Sequence, residues 1–163
     1  MRKRKRNRMI IKSKAFIDGG MIPLKYTGFG EDISPELIIT DAPGDTVSLA
    51  IILDDLDVPF RKTFTHWIIW NIPVTEVIPE SLPHGSVIRE PISACQGAAW
   101  GKHCYRGPKQ PVFIRNEHRY VFTVYALDCR LDISEKSRKK NLLDAMRGHI
   151  LAESKIIGKY KRE

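Results

Sequence analysis

Apolar and polar positions alternate in short runs along most of this chain, and only one late stretch repeats at helical spacing. Period-two alternation over a few residues marks half-buried strands. Ile10 to Ile17 alternates this way and predicts an edge strand. Asp18-Gly19-Gly20 supplies a turn, and Met21-Ile22-Pro23 opens the next segment. After the polar, glycine-spaced loop Tyr26 to Asp32, Leu37-Ile38-Ile39-Thr40 predicts a short strand. Leu49 to Leu53 is apolar enough to be covered on both faces. Phe64 to Trp70 returns beside it across the acidic link Asp54-Asp55-Leu56-Asp57-Val58-Pro59. His118 to Leu127 is the clearest strand, with His118, Tyr120, Phe122 and Val124 on one face. A helix capped by Ser134 or Ser137 would carry Leu142, Ala145, Met146, His149 and Ile150 as its apolar stripe. Lys155 to Tyr160 predicts a closing strand. Many strands and one late helix make the chain mainly β, a sandwich or barrel with helical decoration.

Asn71 to Gly97 carries four prolines and little period, so it predicts a long ordered loop with one strand at Val87-Ile88-Arg89. At 163 residues, with 42% apolar and 28% charged content, the chain can bury a sizeable core as one domain. No apolar run reaches the ~18 residues of a membrane span. The net charge of +8 suggests nucleic acid until its distribution is counted. Arg2, Lys3, Arg4, Lys5, Arg6 and Arg8 are six of the 27 basic residues. Without them 21 face 19 acidic ones, a body near +2. Residues 1–8 therefore form a basic, disordered tail ahead of a single domain at 9–163, and contact with nucleic acid would run through that tail alone. Met9-Ile10-Ile11 meets Lys12-Ser13-Lys14 at once, so no secretory leader forms there, and Met9 is an alternative start. Cys95, Cys104 and Cys129 show no paired spacing, which predicts a reduced, cytoplasmic protein, with a Cys95–Cys104 bridge left to geometry.

Four stretches carry candidate chemistry. Asp55-Leu56-Asp57-Val58-Pro59 places two acids one residue apart; taken alone it reads as a solvated Asx turn. Alternation puts Leu49, Ile51, Leu53, Asp55 and Asp57 on one face, and His66 with Phe64, Ile68 and Trp70 on one face of the next strand. Gly101 to Pro111, with Tyr105 and Gly107, is a loop able to aim backbone N–H groups at a ligand. His118-Arg119-Tyr120 starts the clearest strand with polar groups. Carboxylates and imidazoles at the mouth of an apolar sheet are costly to bury without partners.

Taken together and in this order, D-x-D-x-P, H-W, Y-x-G-P with a further proline, and H-R-Y closely resemble the phosphatidylethanolamine-binding protein family, nearest its prokaryotic Raf kinase inhibitor-like subgroup. Phe16-Ile17-Asp18-Gly19, Tyr26-Thr27-Gly28 with Ser34-Pro35, Asn71-Ile72-Pro73 and the run from Ala145 to Tyr160 extend the match. The resemblance implies an antiparallel Greek-key β-sandwich with a C-terminal helix. It also implies a small pocket for phosphate-like anions or phosphorylated head groups, lined by Asp55, Asp57, Pro59, His66, Tyr105, Gly107, Pro111 and His118. It implies a binding protein rather than an enzyme, with no cofactor, a kinase or protease as protein partner, and a homodimer. The chain departs from the family at Gln110-Pro111, where Pro-Pro is common, and in the link Phe113 to Glu117 before H-R-Y. On the residues' own chemistry, imidazolium and Tyr105 hydroxyl donors would hold the phosphate. Asp55 and Asp57 could accept a hydrogen bond from a protonated phosphate, neutralise the ammonium of an ethanolamine-type zwitterion, or keep the histidines charged, and anion binding is expected to weaken as pH rises through the histidine range. Two rival chemistries remain open: a metal-dependent hydrolase using the two Asp and two His, and a Cys104–His118 nucleophile pair.

Overall fold

The structure is a computed structural model, and it describes residues 8–163. The expected basic tail lies, Arg8 apart, outside the described residues. Two sheets face each other. The smaller has β1 (Ile10–Lys12) at one edge, β3 (Leu37–Thr40) in the middle and β6 (Val77–Ile78) at the other. The larger runs in the order β2 (Gly20–Met21), β10 (Ile150–Tyr160), β9 (His118–Leu127), β4 (Ser48–Asp55), β5 (Phe64–Pro73), β8 (Ala94–Gln96) and β7 (Val87–Ile88). All pairings are antiparallel except β2 with β10. After β5 the chain makes a long excursion and returns with β9 on the other side of β4, the Greek-key step.

β4 is buried at all eight positions because each of its faces meets a different core. Leu49, Ile51 and Leu53 face the smaller sheet with Trp67, Ile69, Phe122 and Val124. Ala50 and Ile52 face outward with Ile68 and Trp70, beneath Leu142 and Met146 of α1 (Lys139–Met146). Lys139 ties α1 to the sheet, its Nζ donating to Asp54 Oδ2 at 2.7 Å.

The helix lies near the C-terminus, ahead of the expected closing strand. It stops at Met146, and Gly148, at φ +80°, turns the chain into an 11-residue strand. His149 and Ile150 thus leave the expected helical stripe, because a residue that tolerates the left-handed region ends a helix more decisively than an apolar pattern prolongs it. Ile10–Ile17 is a strand only as far as Lys12. The Asn71–Gly97 loop holds β6 and β8 besides the expected β7. Cys95, Cys104 and Cys129 are all free thiols, so the two nearer cysteines do not bridge. Among the described residues no helix is long and apolar enough to cross a membrane.

Candidate functional site

The first residue of β9 and the last of β4 lie beside each other at one end of the larger sheet. There His118 Nδ1 donates to Asp55 Oδ2 at 2.7 Å across 63 positions of sequence, and both side chains are almost wholly buried. Asp55 Oδ1 is occupied separately by the Asp57 N–H at 2.8 Å, so the Asx turn and the imidazole-orienting role belong to one carboxylate. With Nδ1 committed, His118 presents Nε2, which is buried and has no hydrogen-bond partner. Beside it lies a cavity of ≈ 250 Å³ with Asp55, His66, His118, Tyr120, Lys109 and Gln110 in its walls. The remaining wall is apolar: Val58, Pro59, Phe64, Trp100, Pro111, Phe113 and Ile114.

His66 reaches this cavity by a route that strict alternation misses. Leu53 pairs with Trp67, but Asp54 pairs with Thr65, so His66 is the extra residue of a β-bulge. The bulge lets both His66 and Trp67 turn to the inter-sheet side, while Ile68 and Trp70 join the outer core. His66 therefore does not share a face with Ile68 and Trp70 as expected; of that set only Phe64 stays beside it, edge-on at 5.4 Å. Trp100 and Tyr120 pack against the same imidazole at 4.9 and 5.4 Å.

Electrostatics also differ from expectation at His66. Its Nδ1 donates to the Arg106 carbonyl at 2.8 Å. Burial lowers its pKa below the usual histidine value, against the opposing pull of the Arg106 carbonyl and the Asp55 carboxylate. His66 is thus a neutral side chain at pH 7 rather than an imidazolium, because the loss of hydration outweighs the nearby acid. Burial and then Asp55 push the Tyr120 hydroxyl well up, so it stays a donor.

Five of the eight expected residues, Asp55, Pro59, His66, Pro111 and His118, line the cavity. Asp57, Tyr105 and Gly107 do not; each holds the frame. Asp57 accepts the Arg119 backbone N–H at 2.7 Å and its guanidinium at 2.9 and 3.0 Å, and that hydrogen-bonding leads the lowering of its pKa. Tyr105 is buried against Trp67 and donates its hydroxyl to the Tyr26 carbonyl at 2.7 Å, leaving none for a phosphate. Gly107 donates its N–H to Asp32 Oδ1 at 2.7 Å, and a Cβ there would stand 2.0 Å from the Tyr26 oxygen. Asp55, Asp57, His66 and His118 also do not gather as a metal-ligand set. Burial raises the Cys104 thiol, which opposes its use as a nucleophile.

Sequence reasoning missed Phe64, Trp100 and Tyr120 as wall residues, although H-R-Y pointed at Tyr120. It missed Gln96 as well. That side chain accepts from Trp67 Nε1 at 2.7 Å and donates to the Pro83, Gly85 and His103 carbonyls at 2.9–3.2 Å, which pins the loops behind the site. Gln110, where the chain departs from the usual Pro-Pro, donates to the Tyr160 carbonyl at 3.0 Å and leaves its buried Oε1 without a partner.

The family model for phosphatidylethanolamine-binding protein matches residues 12–161. The chain belongs to the phosphatidylethanolamine-binding protein family. Among its relatives, a UPF0098 protein of Methanothermobacter thermautotrophicus is 44% identical over 161 residues, covering 94% of this chain and 99% of that one. A UPF0098 protein of Pyrococcus horikoshii is 41% identical over 152 residues, covering 93% and 76%. The crystal structure of a phosphatidylethanolamine-binding protein homologue from Chlamydia trachomatis superposes with a TM-score of 0.84 at 37% identity, covering 96% of this chain and 99% of that one. E. coli YbcL, at 22% identity, shares the fold with a TM-score of 0.84. Membership makes this a ligand-binding fold, and five of the eight residues expected from the sequence line the cavity at His118.

Proposed function

We propose that the protein binds a phosphate-like anion, free or as a phosphorylated head group, at His118 Nε2. The observation that supports this reading is the buried, unpartnered Nε2 of His118, a residue that lines the cavity and is oriented by Asp55 through Nδ1. A buried nitrogen without a partner costs on the order of 1–3 kcal/mol, which a ligand oxygen sharing a proton with it recovers. The proton also explains the acid. An imidazolium paired with Asp55 is neutral as a unit and no longer repels a phosphate, and the Nε2–H donor is charge-assisted. The apolar walls suit the organic part of an ester, and Tyr120 and Lys109 are further donors among the wall residues. Exposed Phe60 and Val112 flank wall residues, exposed Phe113 is itself one, and the three would meet a protein partner such as a kinase or protease.

The test is titration calorimetry with inorganic phosphate, O-phosphoserine and phosphoethanolamine. Replacing His118 by Ala should weaken the best of these by about ten- to a hundredfold, the range of one charge-assisted hydrogen bond. Because the complex holds one proton and a monoester loses its last one near pH 6, affinity should fall steadily from pH 6 to 9. Equal affinity in the His118 variant, or affinity flat across that range, would overturn the reading.

A further inference from the structure

β9 carries His118 at its first residue and Leu127 at its last, so the turn after Leu127 lies about 30 Å from the cavity. There Asp128, Cys129 and His149 place a carboxylate oxygen, a thiol sulfur and an imidazole nitrogen all within 4.8 Å of one another. Asp128 Oδ1 and His149 Nδ1 are 2.8 Å apart. An ordinary surface ion pair accounts for those two residues, and the Cys129 thiol, hydrogen-bonded to the same Asp128 carboxylate, adds a soft ligand beside them.

The backbone under all three is fixed. The Asp128 N–H donates to the His149 carbonyl at 3.0 Å, immediately before the β9–β10 ladder begins at Leu127 and Ile150. The Cys129 carbonyl accepts from Ser48 Oγ at 2.6 Å. Asn71, two strands away, bonds both the N–H and the carbonyl of Leu131 at 2.7 and 2.8 Å. Gly148 at φ +80° brings His149 back onto the end of the sheet. The side chains of Asp128 and His149 are nevertheless nearly half exposed, so solvent reaches the cluster.

We infer that Asp128, Cys129 and His149 form a divalent transition-metal site, with zinc as the ion whose ligand preferences it fits best. Zinc takes thiolate sulfur at about 2.3 Å and nitrogen or carboxylate oxygen at about 2.0–2.2 Å, which sets ligand atoms roughly 3.2–3.7 Å apart around a tetrahedron. The three atoms therefore need shifts of about an ångström at most, within reach of exposed side chains on a fixed backbone. Water completes the tetrahedron from the solvent side. On loading, the Cys129 thiol proton goes to solvent and the imidazole proton moves to Nε2, leaving Nδ1 to the metal. Thiolate and carboxylate then balance the two positive charges. The mix of soft and borderline ligands disfavours magnesium and calcium, which prefer all-oxygen sets.

The test uses the whole chain, reduced, titrated with Zn²⁺ and with Co²⁺, whose thiolate charge-transfer band reports sulfur ligation directly. One metal per chain is expected, with the band present. Cys129→Ser should abolish the band and, like His149→Ala, weaken binding at least about tenfold. Cys95→Ser and His118→Ala should leave it unchanged. Zinc should also slow alkylation of Cys129 in the unsubstituted protein, a readout that needs no variant. Absence of binding, binding with no thiolate band, binding undiminished by Cys129→Ser, or binding that depends on His118 would each overturn the assignment.

Discussion

His66 and His118 occupy one cavity but do different work, and burial separates them. His118 has a carboxylate on one nitrogen, no partner on the other, and lines the cavity. His66 has a carbonyl on Nδ1 and three aromatic rings around it, and its pKa is lowered. A histidine whose folded pKa is depressed binds fewer protons than the unfolded chain below about pH 6.5. The stability it contributes is therefore complete above that pH and is lost as pH falls below it. His66→Gln should lower the melting temperature somewhat at pH 7, yet show a smaller further drop between pH 7 and pH 5 than the unsubstituted protein. Melts at pH 7, 6 and 5 decide this, since Asp57, also lowered, titrates below that window. Equal drops in both proteins would mean that His66 is not the titrating group. Gln110 makes a second prediction at this scale. Its unpaired Oε1 favours a ligand bearing a donor next to its phosphate, so Gln110→Pro should narrow the preference for phosphoethanolamine over inorganic phosphate without removing phosphate binding.

Glycines separate frame from site at the scale of elements. Gly107 stands where a Cβ would be 2.0 Å from the Tyr26 oxygen, whereas Gly148 has nothing within 4 Å and is constrained only by its φ of +80°. Gly148→Ala should cost about 1–2 kcal/mol, the penalty of a left-handed residue. Gly107→Ala forces two backbone segments apart and should cost more than ~3 kcal/mol. Urea unfolding of both variants checks the order, and a reversal would refute the account of the Tyr105–Gly107 loop as frame. That loop shows what the sequence could and could not carry. Tyr105 and Gly107 were legible as part of the family's motif, but a motif does not say whether a residue touches the ligand or holds the one that does. β3 and β9 were legible because residues of strand-forming type, β-branched and aromatic, dominate both. The facing of β5 was not, since the bulges at His66 and near Asn71 each shift the alternation by one residue. β8 was missed because Ala94-Cys95-Gln96 is too short to show a period, and its place is set by Gln96.

Charge and core have to be weighed together for the molecule as a whole. A chain at +8 gains some stability from any added anion through screening, so a rise in melting temperature with phosphate is not by itself evidence of a site. A specific ligand acts differently, by binding the folded state at one place. At a hundred times its dissociation constant it adds about 2.7 kcal/mol, and for a chain of this length that is a shift of roughly 5–10 °C. Because β4, β5 and β9 all end at the cavity and also pass through both cores, a ligand held there stabilises the whole sheet rather than a loop. Removing residues 1–7 takes away five basic residues and should shrink the effect of sodium chloride while leaving the phosphate increment, measured at matched ionic strength, unchanged. The same increment should vanish in His118→Ala with the tail intact. If instead the tail deletion abolishes the phosphate shift and His118→Ala preserves it, the anion is held by the basic N-terminal segment, and the buried nitrogen at the head of β9 is a structural feature of the Asp55 turn.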